Sequence, residues 1–213
     1  MRTAGNPLAV GVVRGTGRAL AYAALDLHVT GRQNVPAMGP VLLAGNHSGL
    51  LDGPLVYFTS PRPIVVLAKS ELFVGRWPPV LGALGLVPLH RGTADRAALH
   101  SGLAHLSGSG ALCVFPEGTR GSGALEQVAD GIAYLALRSG APVVPVAVSG
   151  TARALPKGAK VPRPRSRVQV AYGVPVQVSV EGDPRARRTV RAAAEQLRLA
   201  LLDHLHASTG AFT

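Results

Sequence analysis

The sequence predicts an α/β domain: a mostly parallel central sheet flanked by helices. Three observations carry that prediction. Short continuous apolar runs recur at Val41–Ala44, Ile64–Leu67, Leu86–Leu89, Ala111–Phe115 and Val143–Val148. Runs without polar alternation suit strands covered on both faces, as in a parallel sheet. Helical patterns lie between them, and strand–helix alternation is the signature of this class. The chain has 213 residues, 47% apolar and 15% charged, which favours one domain with a real core over a disordered chain.

Taken in order, residues 1–30 read as an N-terminal amphipathic helical segment and 31–213 as the domain proper. The helix is expected over 8–28, with Arg14 and Arg18 on one side and Val12, Val13, Leu20 and Leu25 elsewhere. Such a helix can lie in a bilayer interface or pack as an ordinary surface helix, and the residues fit both. Further helices are expected over 94–106, carrying Ala97, Leu99, Leu103 and Leu106, and over 125–138, carrying Val128, Ile132, Leu135 and Ala136. Residues 156–166 read as a basic surface loop, followed by strands at Val168–Tyr172 and Val174–Val180. In the last helix Asp183 is expected to cap and Pro184 to take the first position, ahead of a stripe of Val190, Ala194, Leu197 and Leu201.

Charge narrows the partners. Lys+Arg 22 against Asp+Glu 11 gives a net charge of +11, which favours anionic partners. Aromatic residues are 4% of the chain, too few for a base-stacking platform, so an anionic membrane surface or a phosphate ligand is expected and nucleic acid is not. Cys113 is the single cysteine, so no intramolecular disulfide can form, and it reads as a small core residue. No charge-free stretch reaches the length of a bilayer span. Arg14 and Arg18 interrupt the apolar N-terminal stretch, against a secretory signal. A cytoplasmic protein, peripheral at the inner face of the cell membrane, is expected.

Two runs carry chemistry. Leu42-Leu43-Ala44-Gly45-Asn46-His47-Ser48-Gly49-Leu50-Leu51-Asp52 leaves an expected strand and enters an expected helix, at a strand's carboxyl end where α/β sheets bind ligands. On one regular helix, positions five apart are turned by about 140° and do not face each other. His47 and Asp52 can meet if His47 lies on the loop and Asp52 in the first helical turn. A carboxylate on one imidazole nitrogen fixes the tautomer and leaves the other nitrogen as a base. The competing reading is a cap, with Asn46 or Ser48 at the helix start and Asp52 placed well for the helix dipole.

The second run, Val114-Phe115-Pro116-Glu117-Gly118-Thr119-Arg120-Gly121-Ser122-Gly123, follows another strand. Its glycines let backbone N–H groups point at a ligand, and Arg120 offers a fork for phosphate. A Gly-rich turn with a solvated Arg fits as well. It is not a P-loop, because no Gly-Lys-Ser/Thr ends it. Lys69 and Arg91 also follow strand ends, so three cations are expected along one rim.

Asn46-His47, then Asp52 after four intervening residues, and Phe115-Pro116-Glu117-Gly118-Thr119-Arg120 together resemble the glycerolipid acyltransferase family, typified by 1-acylglycerol-3-phosphate acyltransferases. Lys69-Ser70-Glu71-Leu72-Phe73, Gly85–Arg91 and Val143-Val144-Pro145-Val146 look like its intervening and following blocks, in the family's order. The resemblance covers roughly residues 30–180 and makes 31–213 an acyltransferase domain. It implies His47 as general base and Asp52 as its orienting partner. It implies acceptor binding by Arg91, Glu117, Gly118, Thr119 and Arg120, with Lys69 in addition. The donor is an acyl thioester on CoA or acyl carrier protein, used as co-substrate, and no cofactor or metal is expected. The implied product is phosphatidate, made from a lysophospholipid acceptor in phospholipid biosynthesis.

Three positions depart from the family pattern. Gly49 stands where a Ser is usual two residues after the His, His90 where an acidic residue usually precedes the Arg, and Gly121 where a Ser often follows Arg120. None removes a catalytic group, and all line the expected acceptor pocket.

The expected mechanism is direct transfer, with N–H donors for the oxyanion sought in the loop at 118–121. The rivals are a serine hydrolase using Ser48, which lacks a Gly-x-Ser-x-Gly elbow, and a metal hydrolase using His90, His100, His105, His204 or His206, which read as surface histidines. A catalytically inactive basic lipid-binding protein, or an acyltransferase with a different lipid acceptor, is the alternative.

Overall fold

A computed structural model describes residues 7–69, 75, 86–89, 96–118 and 123–210. Its elements run α1 (Pro7–Ala24), β1 (Asp26–Thr30), one 3-10 turn (Arg32–Asn34), β2 (Val41–Gly45), α2 (Asp52–Thr59), β3 (Val65–Lys69), β4 (Leu86–Leu89), α3 (Arg96–Ser107), β5 (Ala111–Val114), α4 (Asp130–Ser139), β6 (Val143–Ser149), α5 (Thr151–Ala154), β7 (Arg167–Tyr172) and α6 (Arg187–Gly210).

The strands form a seven-stranded sheet in the order β1-β7-β6-β2-β5-β3-β4. Strand β2 pairs in parallel with both β5 and β6, and β5, β3 and β4 continue in parallel. β7 returns antiparallel to β6 and pairs in parallel with β1. The fold is therefore a single α/β domain with a mostly parallel sheet, as the apolar runs require.

Side chains alternate across the sheet with the two-residue period of a strand. Val41 and Leu43 of β2 and Ala111 and Cys113 of β5 join Leu55 and Val56 of α2 in one core. Leu42, Ala44, Leu112 and Val114 join Leu106, Ile132, Leu135 and Leu197 from α3, α4 and α6 in the other. Both faces are covered, so continuous apolar runs rather than alternating ones encode these strands. Cys113 is fully buried and its thiol is pushed up to about 12 by burial, which leaves an unreactive core residue.

Four expectations are corrected. The first helix ends at Ala24, and residues 26–30 form strand β1 inside the segment assigned to the N-terminal helix. Leu25 and Leu27 are buried on alternate positions, and the strand's backbone pairs with β7, a partner 141 positions on at Asp26↔Arg167 that local periodicity does not reveal. The helix expected from 125 starts at Asp130, because Leu125 takes a left-handed conformation (φ 53) that breaks helical progression. Val174–Val180 forms only an isolated bridge between Val176 and Val143, and Pro175 beside it has no N–H to extend a ladder. Asp183 accepts from Arg185 N at 2.8 Å in a turn ahead of α6 instead of capping it.

Arg14 does not face outward with Arg18. Its Nε donates to Tyr57 O at 3.1 Å and its Nη2 donates to Ser60 O, carbonyls at the open end of α2. Gly17 lets α1 approach, because a Cβ there would lie 2.4 Å from the Phe58 ring. α1 is thus docked on α2 while Leu8, Val12 and Leu20 stay exposed.

Candidate active site

The strand order decides where the site lies. β5 and β6 flank β2, in register at Ala44↔Val114 and Gly45↔Val146. The chain leaves β2 towards β3 and later returns on the other side as β6, so the carboxyl end of β2 is a topological switch point, the place where α/β sheets bind ligands. Asn46, His47, Phe115 and Glu117 leave β2 and β5 on that rim, and Thr151 leaves β6 there.

Asn46 stitches the rim. Its Nδ2 donates to Val148 O at 3.0 Å and its Oδ1 accepts from Val148 N at 2.7 Å. The side chain thereby continues the β2–β6 ladder by one step and frees the main chain to turn at His47. It does not cap α2, whose N-cap position is Leu51.

His47 and Asp52 meet as the loop-to-helix geometry allows. His47 Nδ1 lies 2.9 Å from Asp52 Oδ2, with the carboxylate at 0% exposure and the imidazole at 18%. The same oxygen accepts from Ser48 N at 2.8 Å and Gly49 N at 2.7 Å. With Nδ1 directed at this carboxylate oxygen, the ring's hydrogen sits on Nδ1 and Nε2 presents its lone pair. The imidazole also stacks on Phe115, with centroids 4.6 Å apart and an interplanar angle of 30°.

Glu117 points back at the same loop. Its Oε1 accepts from His47 N at 2.9 Å. Burial raises its carboxyl above the ordinary glutamate range, and Asp52 adds to that; the amides of His47 and Gly123 and the charge of His47 pull the other way. Gly118 takes a left-handed conformation (φ 67) and its N–H donates to Phe115 O at 3.1 Å. That N–H is spent within the turn, which removes it from the expected oxyanion donors. Thr119, Arg120 and Arg91 lie outside the described residues. Of Lys69 the backbone ends β3, and its side chain lies outside the description.

Of the histidines of the metal rival, His90 lies outside the described residues. His105 Nε2 lies 3.1 Å from Ala111 O, and burial disfavours its charged form. His204 Nε2 lies 2.9 Å from Ala171 O. Both are partly buried structural groups, which corrects the surface reading. Among the described residues no group of three His, Cys, Asp or Glu could hold a metal ion. Thr151, whose hydroxyl donates to Asp52 Oδ1 at 2.5 Å, was not singled out from the sequence; no local pattern marks it.

An imidazole held by a buried carboxylate at the strand ends is an arrangement that can deprotonate an alcohol. The chain belongs to the Acyltransferase family, whose model matches residues 26–149, more than half of it. It is 29% identical over 200 residues to a 1-acyl-sn-glycerol-3-phosphate acyltransferase of Cocos nucifera, covering 84% of this chain and 62% of that protein. A 1-acyl-sn-glycerol-3-phosphate acyltransferase of Borreliella burgdorferi is 30% identical over 136 residues, covering 61% of this chain and 53% of its own length. The crystal structure of the 1-acyl-sn-glycerophosphate (LPA) acyltransferase PlsC from Thermotoga maritima matches with a TM-score of 0.68 at 26% identity, covering 93% of this chain and 80% of that one. This chain therefore spans 62% and 53% of the length of the two curated relatives.

Proposed function

We propose that this chain transfers an acyl group from an acyl thioester to the free hydroxyl of 1-acylglycerol 3-phosphate, giving phosphatidate. The observation that carries the reading is the 2.9 Å contact from His47 Nδ1 to the buried carboxylate of Asp52. The named activity of the relatives supplies the acceptor. In this scheme Nε2 of His47 takes the acceptor's proton while the acceptor oxygen attacks the thioester carbonyl. The C–S bond breaks as the tetrahedral adduct collapses, and the departing thiolate receives the proton from His47. The donor is carried on CoA or acyl carrier protein, and the scheme requires no metal or further cofactor.

Acceptor phosphate binding is assigned to Arg91, Thr119 and Arg120 with Lys69, on the motif resemblance. Glu117 and Gly118 serve this site through the loop: a carboxylate repels a phosphate, and this one already accepts the His47 amide. The membrane-facing part of the reading places the chain peripherally on an anionic surface at the inner face of the cell membrane. Its support is the net charge of +11 and the exposed Val12 and Leu20 on α1. No helix among the described residues is long and apolar enough to cross a membrane.

The test is a purified assay with labelled acyl-CoA and, in parallel, lysophosphatidate, glycerol 3-phosphate and a non-phosphorylated acceptor. Label should pass to lysophosphatidate in preference to the others, and H47A should abolish transfer while keeping the fold. Turnover retained in H47A would remove His47 as the base. A folded, lipid-binding protein that transfers no label would support the inactive lipid-binding alternative.

A further inference from the structure

We propose that Thr151 is a positioning residue for the His47–Asp52 pair, its hydroxyl holding the Oδ1 edge of the Asp52 carboxylate so that Oδ2 faces the imidazole. The observations concern how the two oxygens are held. Oδ2 receives His47 Nδ1, Ser48 N and Gly49 N, all from the three residues of its own loop. Oδ1 receives Thr151 Oγ1 at 2.5 Å, from a residue 99 positions away. The loop's three donors all act on one oxygen, and Thr151 anchors the other from a different element, so the carboxylate is held at both ends.

Thr151 is suited to the task. It is fully buried, at 0% exposure, and its β-branched side chain is stiff about χ1. It follows Gly150, whose φ of 84 and whose approach to Arg167 O, 2.2 Å from where a Cβ would sit, admit only glycine. The turn therefore aims Thr151 from the end of β6 under α2. With its hydrogen committed to Asp52, Thr151 Oγ1 accepts from Ser48 Oγ at 3.3 Å. The hydroxyl also fills the space beside Gly49, where a Cβ would lie 2.6 Å from Thr151 Oγ1. Gly49 and Thr151 are thus a matched pair: the loop lacks a side chain where the strand-end hydroxyl enters.

The inference rests on the acyl-transfer reading, and its test separates the two. T151V keeps the volume and branching and removes the hydroxyl; T151S keeps the hydroxyl; T151A stands in if T151V fails to fold. Partners that orient the ligating side chains of metal sites are worth about ten- to a hundredfold in activity, and the same order is expected for a partner that orients Asp52. T151V should lose kcat by that factor with the acceptor KM within about twofold, T151S should recover most of the loss, and T151V should add nothing in a D52A background. A T151V enzyme within about threefold of wild-type kcat, a loss confined to KM, or a folded T151S as defective as T151V would overturn it. If the wild type transfers no acyl group, that failure counts against the function alone, and NMR of histidine-labelled protein decides the inference. The His47 Nδ1–H resonance, protected by Asp52, should weaken in T151V and persist in T151S; an unchanged resonance in T151V would overturn the proposal.

Discussion

Phe115 and Gly45 are fitted to each other beneath the His47 imidazole. A Cβ on Gly45 would lie 2.9 Å from Phe115 Cε1, and the same ring stacks on His47 with centroids 4.6 Å apart. The ring is a wedge: one side fills the space over β2 and the other lies against the His47 imidazole. Aromatic pairing of this kind contributes about 0.5–1.5 kcal/mol. F115L should therefore lower kcat by about two- to tenfold, with acceptor KM little changed. G45A should also lower kcat by displacing the ring, and steady-state kinetics on both variants check the pair. Unchanged kcat in both would show that the wedge does not set the base.

Asn46 is a structural stitch. Replacing it by leucine would strand the buried N–H and C=O of Val148, which Asn46 now satisfies at 2.7 and 3.0 Å. An unsatisfied buried group costs about 1–3 kcal/mol. N46L should lower Tm by several degrees and reduce activity with it. A thermal melt that leaves Tm unmoved would contradict the stitch.

Glu117 should tie stability to pH. Burial raises its folded-state pKa above the ordinary glutamate value. A group with a raised folded pKa binds its proton more tightly folded than unfolded, so its contribution is fully present below the unfolded pKa and is lost as pH rises through the folded one. Relative to E117Q, the wild type should lose Tm as pH rises from the ordinary glutamate range through the raised value, then run parallel. The comparison is made by melting both proteins across that range. A difference that does not vary with pH, or that grows in the wild type's favour, would refute it.

The exposed face of α1 should govern vesicle binding. Val12 and Leu20 are 67% and 64% exposed, and burying such a side chain contributes about 1.5–3 kcal/mol. The double variant V12D/L20D should bind anionic vesicles at least about tenfold more weakly, with Tm unchanged because neither residue packs on the core. Wild-type binding should weaken as salt rises, since basic residues near an anionic surface are screened. Co-sedimentation with vesicles at two salt concentrations measures both. Binding insensitive to salt and to the substitutions would place the contact elsewhere.

Much of this was legible locally. The apolar runs mark β2, β3, β4, β5 and β6 because strands covered on both faces need no polar alternation. The His47–Asp52 contact follows from a loop running into a first helical turn, a geometry five residues can span. β1 was hidden because its partner, β7, lies far along the chain. Arg14 read as one side of an amphipathic helix because its partners, the Tyr57 and Ser60 carbonyls, belong to another element.

By itself the sequence determined the class of fold, the pairing of His47 with Asp52 and the blocks that identify the family, since each is written in residues a few positions apart. Only the tertiary structure decided how the pair is held. Thr151, Phe115, Glu117 and the Asn46–Val148 stitch converge because β6 and β5 flank β2 in the sheet. Strand order joins hydrogen-bonding groups separated by 70 to 103 positions, and no local periodicity carries that information.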